Sequence, residues 1–313
     1  MKIALVTPAA PRSRSGNRNT AQRWANFFKQ MGHRVTIQTV WDGAGADVML
    51  ALHARRSHDS IRRFATIFPQ RPLIVALTGT DLYRDIRIDA SAQESLSLAT
   101  RMVVLQDMGL QELSADLQAK TRVIYQSTPA IAKQTLYKTR FEVCVIGHLR
   151  EEKDPFRTAL ALPHLPQDSR VHVSHMGRAM SEAMASEAEG FMQADSRYQW
   201  LGEIPHWQVR KKLARSHVMV ISSKMEGGAN VVTEAIAAGT PVIASRIAGN
   251  IGMLGLDYAG YYALEDERAL ARLLTRAETE PNFYALLKKQ CAARRKLVTP
   301  KAELSGLRKL LLD

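Results

Sequence analysis

Two carboxylates eight residues apart, Glu226 and Glu234, flank a glycine pair in the run Ser222-Ser223-Lys224-Met225-Glu226-Gly227-Gly228-Ala229-Asn230-Val231-Val232-Thr233-Glu234-Ala235. At the mouth of an α/β crevice such carboxylates accept hydrogen bonds from vicinal hydroxyls, as a ribose or hexose offers. Gly227 and Gly228 would expose backbone N–H groups where a helix opens, which suits an anion or sugar hydroxyls. An isolated pair of this kind is more often a solvated loop glutamate and a helix-surface glutamate, so its reading depends on its surroundings. A second cluster is Gly147-His148-Leu149-Arg150-Glu151-Glu152-Lys153-Asp154-Pro155. Asp154 and Pro155 read as a helix cap and first helical residue, which places Lys153 beside a helix N-terminus, where it would neutralise a diphosphate. A third is the basic run Pro11-Arg12-Ser13-Arg14-Ser15-Gly16-Asn17-Arg18-Asn19-Thr20, within a 41-residue opening that holds seven Lys or Arg and no acidic residue. It reads as an anion site. Arg18 at the helix start and Arg55 after Leu52 are its candidate cations, with His53 and Asp81 at neighbouring strand ends; each also reads as a surface cation or a satisfied polar residue.

These clusters need strands to end beside them. Short apolar runs bounded by turn residues alternate with helical patterns, which is the signature of parallel βαβ units. The expected strands are 3–8, 35–40, 47–52, 73–78, 102–106 and 122–126, then 141–147, 170–176, 198–202, 218–223 and 241–247. Several are apolar on consecutive residues, as in strands covered on both faces. The first helix is expected to begin near Asn19, with Ala21, Trp24, Ala25, Phe28 and Met31 on one face. The polar stretch between Gln126 and Phe141 suggests domains at 1–135 and 136–300, and Pro300 precedes an amphipathic stretch, 301–313, able to return to the first domain.

The chain has 313 residues, 46% hydrophobic and 23% charged, which excludes a miniprotein and wholesale disorder. A net charge of +13 favours an anionic partner. Cys144 and Cys291 are too few for a disulfide framework and suit a reducing compartment. Cys144 lies in an apolar strand and reads as packing. No signal peptide or membrane span is legible, so a cytoplasmic location is expected. The histidines show no metal-ligand spacing, and no metal or cofactor is expected. Against a nucleic-acid binder stand the absence of a helix-turn-helix signal and of an aromatic-rich basic run.

Glu226 and Glu234, followed by Ala-Gly-Thr-Pro-Val-Ile-Ala-Ser at 238–245 and Gly249, resemble the donor-binding signature of family 4 glycosyltransferases. The resemblance implies the α/β GT-B fold: two Rossmann-like doubly wound domains facing a central cleft, the second holding a nucleotide sugar. It implies that Glu226 contacts the transferred sugar and Glu234 the ribose, and it places Gly16, His148, Gly227, Gly228, Ala229 and Asn230 at the donor. Lys153 and Glu226 are then catalytic. The family pattern is Gly-Arg-Leu followed by Lys, but His148 stands at the arginine's position, which leaves the second cation open, with Arg150 as candidate. His206-Trp207 falls where such enzymes hold the base or sugar, although it starts a helix and also reads as a cap contact.

The run Gly-Asn-Arg-Asn-Thr-Ala-Gln-Arg-Trp-Ala at 16–25 is similar to a narrower group, the selenosugar synthases of bacterial selenoneine biosynthesis, and Leu77-Thr78-Gly79-Thr80-Asp81-Leu82-Tyr83 points the same way. This implies a UDP-sugar donor, typically UDP-N-acetylglucosamine, selenophosphate as acceptor, and an acceptor site of Asn17, Arg18, His53, Arg55, Thr80 and Asp81. Pathway contact with a selenophosphate synthetase and a selenoneine synthase would follow. The alternatives are a family 4 enzyme with a hydroxyl acceptor, a nucleotide-sugar epimerase of the same fold, and a non-enzymatic basic nucleic-acid-binding protein.

Overall fold

A computed structural model describes residues 1–313 except Arg12, Arg14, Lys133 and Asp313, so the two arginines of the basic run lie outside the described residues. The first sheet is built from β1 (Lys2–Val6), β2 (Arg34–Gln38), β3 (Val48–Leu52), β4 (Leu73–Ala76), β5 (Arg101–Val104) and β6 (Thr121–Val123). The second is built from β7 (Phe141–Ile146), β8 (Val171–Met176), β9 (Tyr198–Trp200), β10 (Val218–Ile221), β11 (Val242–Ser245) and β12 (Tyr261–Tyr262). Every expected strand is present, most of them shorter at their carboxyl ends, and β12 is additional. The β3 run Val-Met-Leu-Ala-Leu is buried at all five positions, as the consecutive apolar pattern requires of a strand covered on both faces.

All pairings are parallel. The first sheet runs β2-β1-β3-β4-β5-β6 and the second β12-β11-β10-β7-β8-β9. Each order reverses once, between β1 and β3 in the first sheet and between β7 and β10 in the second. Loops leaving the two strands at such a point diverge and open a crevice at their carboxyl ends, the place where open α/β sheets bind ligands.

Two compact units result. One comprises Met1–Gln126, Glu226–Asn230 and Pro300–Asp313, and the other Ser127–Met225 and Val231–Thr299. The units therefore divide at 126–127 rather than at 135–136, and the short segment carrying Glu226 groups with the first unit. That grouping follows from its glycines: a Cβ on Gly227 would overlap Thr78 O, and one on Gly228 would crowd Leu105, so only glycine allows this approach.

The first helix spans Gly16–Gln30, three residues earlier than expected, because Ser15 caps it by accepting from Arg18 N. Its apolar face, Ala21, Trp24, Ala25 and Phe28, is fully buried. The last helix, Pro300–Leu312, adds Leu307 and Leu310 to the same core. Its Glu303, 1% exposed, accepts from Trp24 Nε1 at 2.6 Å and from Arg23 Nε at 2.9 Å. Among the described residues no helix is long and apolar enough to cross a membrane.

Candidate active site

In the second unit, β7 ends at Ile146 and the loop that follows carries His148, Arg150 and Lys153. Lys153 lies in one 3-10 turn, Glu151–Lys153, whose carbonyls are tied to the loop after β10: the Ser222 hydroxyl stands 3.0 Å from Lys153 O and 2.7 Å from Asp154 O, and Lys224 N donates to Glu152 O at 2.9 Å. The two loops that diverge at the reversal are thereby fixed to each other. A small cavity between the strand ends is lined by Gly147, His148, Lys153, Pro155, His175 and Ser222, among others. The expected cap at Asp154 is not formed. Asp154 takes left-handed backbone (φ 43°), tolerated by its short polar side chain, and its carboxylate is held by Arg157 Nε at 2.8 Å and Nη2 at 3.2 Å; the helix starts only at Arg157. Lys153 is thus positioned by hydrogen-bonded loops rather than by a helix terminus.

His148 occupies the place of a cation but is not one. Its Nδ1 accepts from Arg178 N at 3.0 Å, which puts the proton on Nε2. Burial lowers its pKa; Glu203 opposes this, while Arg178, Arg150 and Lys153 lower it further. A neutral imidazole carrying its proton on Nε2 is the result. Arg150, the sequence candidate for the missing charge, is half-exposed with Glu152 4.0 Å away. Beneath them His175 is buried: its Nε2 donates to Gly147 O at 3.2 Å while its Nδ1 accepts from Tyr198 Oη at 2.8 Å, and burial holds its pKa down to about 4. On the helix Asn230–Ala238, Glu234 Oε1 lies 2.6 Å from His206 Nε2, so the glutamate expected at the ribose is paired with the histidine that starts the helix His206–Arg215.

In the first unit, Gly16, Asn17 and Arg18 form the capped first turn after β1, with no acidic side chain in it. Asn230 Nδ2 lies 3.6 Å from where a Gly16 Cβ would be, which brings together two residues expected at the donor. After β3, His53 takes left-handed backbone (φ 75°), an uncommon state for a non-glycine residue outside functional or tightly held positions. Its Nδ1 accepts from Arg56 N at 3.3 Å, leaving Nε2 to donate to Thr80 Oγ1 at 3.1 Å. Burial lowers its pKa, Asp81 and Asp85 oppose this, and Arg56 and Arg55 add to it.

Two of the residues expected at the acceptor, Asp81 and Arg55, have partners within the first unit. Asp81 is fully buried, with Oδ1 accepting from Thr78 N at 2.8 Å and Gly79 N at 2.9 Å, and Oδ2 from Ala54 N at 3.0 Å. Its oxygens are committed to joining the turns after β3 and β4, which leaves it a scaffold role. Arg55 Nε donates to Asp85 Oδ2 at 2.8 Å, a carboxylate it shares with Arg84 Nε at 3.0 Å. Burial alone would raise the Asp85 carboxyl; the hydrogen bonds and charges of Arg55 and Arg84 more than reverse that and hold it below the usual range.

Residues 126–294, just over half of the chain, match the family described as Glycosyl transferases group 1. The chain belongs to the group 1 glycosyltransferases. No curated protein matches it. Solved structures do: Anabaena HepE in complex with UDP and glucose is 14% identical with a TM-score of 0.78, covering 100% of this chain and 99% of that one. Sucrose-phosphate synthase from Thermosynechococcus elongatus is 17% identical with a TM-score of 0.78, covering 99% and 98%. The lipopolysaccharide outer core galactosyltransferase WaaB, in its apo form, is 11% identical with a TM-score of 0.72, covering 100% and 99%. These likenesses show the fold, and it is GT-B.

In this group 1 enzyme the expected residues cluster at both reversal points. His148, Arg150 and Lys153 share one loop in the second unit. His53, Thr80 and Asp81 share another cluster in the first, alongside the segment Glu226–Asn230, where Gly227 N lies 3.4 Å from where a Gly79 Cβ would be. Gly227 and Gly228 permit this close packing. Arg178 was missed. The signal for it was its place one residue beyond the glycine that ends β8, next to the strand that opens the unit.

Proposed function

We propose that this glycosyltransferase binds a UDP-sugar, of the UDP-N-acetylglucosamine class, at the β7/β10 reversal of its second unit, with selenium of selenophosphate as the acceptor. In the reaction a selenium lone pair forms a bond to the anomeric carbon as the bond from that carbon to the diphosphate oxygen breaks, and UDP departs with the electron pair. Water then cleaves the phosphorus–selenium bond, releasing phosphate and a 1-selenosugar. Lys153 neutralises the diphosphate as charge grows on it, Glu226 contacts the sugar, and Glu234 the ribose. Catalysis rests on positioning and leaving-group stabilisation, with protein cations in place of a metal. Binding of UDP by HepE supports the nucleotide.

The acceptor assignment rests on the likeness of residues 16–25 to the selenosugar synthases, and one observation favours it over a hydroxyl acceptor. His53 is neutral, but its acceptor nitrogen is already occupied by Arg56 N–H, so it is not a free base. A hydroxyl needs its proton removed, whereas selenophosphate arrives ionised. The capped turn at Gly16–Arg18, free of acidic side chains, suits such an anion. Release of UDP from a panel of UDP-sugars, with and without selenophosphate, tests this: turnover should require selenophosphate. Equal release with a carbohydrate acceptor in its absence would favour the hydroxyl reading.

A further inference from the structure

We propose that Arg178, and not Arg150, supplies the second positive charge to the donor's diphosphate, with His148 serving beside it as a hydrogen-bond donor through Nε2. The inference rests on the nucleotide-sugar reading of the β7/β10 site and names the residue that completes it.

Beyond β8 the chain does not diverge from the loop after β7 but stays bonded to it: Leu149 N donates to Arg178 O at 2.9 Å, Met180 N donates to Leu149 O at 3.2 Å, and Leu149 and Ala179 form a parallel bridge. Gly177 makes this possible, since any Cβ there would overlap Gly147 O. His175, two residues earlier on β8, donates to that same carbonyl. The segment 177–180 is therefore an extension of the loop that carries Lys153, and Arg178 is set within it as firmly as His148.

The side chains divide the work. Arg178 N–H holds His148 Nδ1, which fixes the imidazole and leaves its N–H on Nε2, at a residue that lines the cavity with Lys153. An imidazole in that tautomer donates one hydrogen bond and brings no charge, so a diphosphate lying against it and Lys153 still needs a second cation. Arg178 is exposed and makes no ion pair among the described residues, its guanidinium reaching only the Met180 sulfur at 3.9 Å. Arg150 has Glu152 as a neighbour. The charges of Arg178, Arg150 and Lys153 all act on His148 and lower its pKa. A planar guanidinium suits two phosphate oxygens at once.

Calorimetry with UDP and with uridine on the full chain tests the assignment. Wild type should bind both, UDP more tightly. Arg178→Ala should lose about tenfold or more in UDP affinity, as expected for a charge-assisted hydrogen bond, with uridine affinity unchanged. Arg178→Lys should recover part of the loss, and Arg150→Ala should stay within about twofold of wild type. Loss at Arg150→Ala with Arg178→Ala unchanged would overturn the proposal, as would an equal loss of UDP and uridine at Arg178→Ala. Failure of the wild type to bind UDP would instead overturn the nucleotide-sugar reading itself, and this inference with it.

Discussion

Lys153 owes its place to the Ser222 hydroxyl and to the Lys224 N–H that hold the carbonyls of its turn, so its charge is delivered on a short, doubly tied loop. A cation aimed at the oxygen where charge develops contributes mainly in the transition state. Lys153→Ala should therefore lower kcat about 100- to 1,000-fold with thermal stability unchanged, measured by steady-state UDP release. The glutamates separate differently. Because ribose is part of UDP and the transferred sugar is not, Glu234→Ala should weaken binding of UDP itself while Glu226→Ala should weaken only the intact UDP-sugar. Calorimetry with the two ligands decides, and equal losses with UDP would mean that the roles are misassigned. Of these residues the sequence disclosed types and spacing but not partners. That Asp81 spends its oxygens on backbone N–H groups, and that Arg55 pairs with Asp85, depends on side chains brought together by the turn after β4, which no spacing reveals.

At the scale of elements, two buried groups do most of the fixing. Glu303 ties the last helix to the first, and Glu303→Ala leaves the Trp24 Nε1–H and the Arg23 Nε–H without their acceptor. Loss of a buried partner of this kind costs about 3 kcal/mol or more, so a clear drop in the urea midpoint is expected, with Glu303→Gln intermediate because it still accepts from Trp24. His175 links β7, β8 and β9 while neutral. Its pKa of about 4 lies below the 6.5 of the unfolded chain. Between those values the unfolded state binds more protons than the folded one, so stability falls as pH drops from 6.5 toward 4, by about 3 kcal/mol at most from this group. The stability gap between wild type and His175→Gln should narrow over that window in pH-dependent melts. Most strands were legible because each is a short apolar run closed by turn residues. The pair Tyr261–Tyr262 was not, since two residues carry no periodicity, and the early start of the first helix was hidden by Gly16, which discourages a helix unless Ser15 caps it.

Taken as a whole molecule, the chain carries a net charge of +13, and its first 41 residues contain no acidic group. If selenophosphate binds at the Gly16–Arg18 turn, its Michaelis constant should rise with ionic strength, since exposed charges are screened within about 10 Å at 0.1 M salt. Arg18→Ala should raise that constant and flatten its salt dependence while UDP affinity stays near wild type. A uniform loss of both would place this turn at the donor. The central claim, transfer of a sugar to selenium, is tested most directly by mass spectrometry of the purified protein incubated with selenophosphate and UDP-N-acetylglucosamine. A new species bearing the selenium isotope pattern and one sugar, formed in step with UDP, is the predicted result; UDP release with no selenium in the sugar product would contradict it.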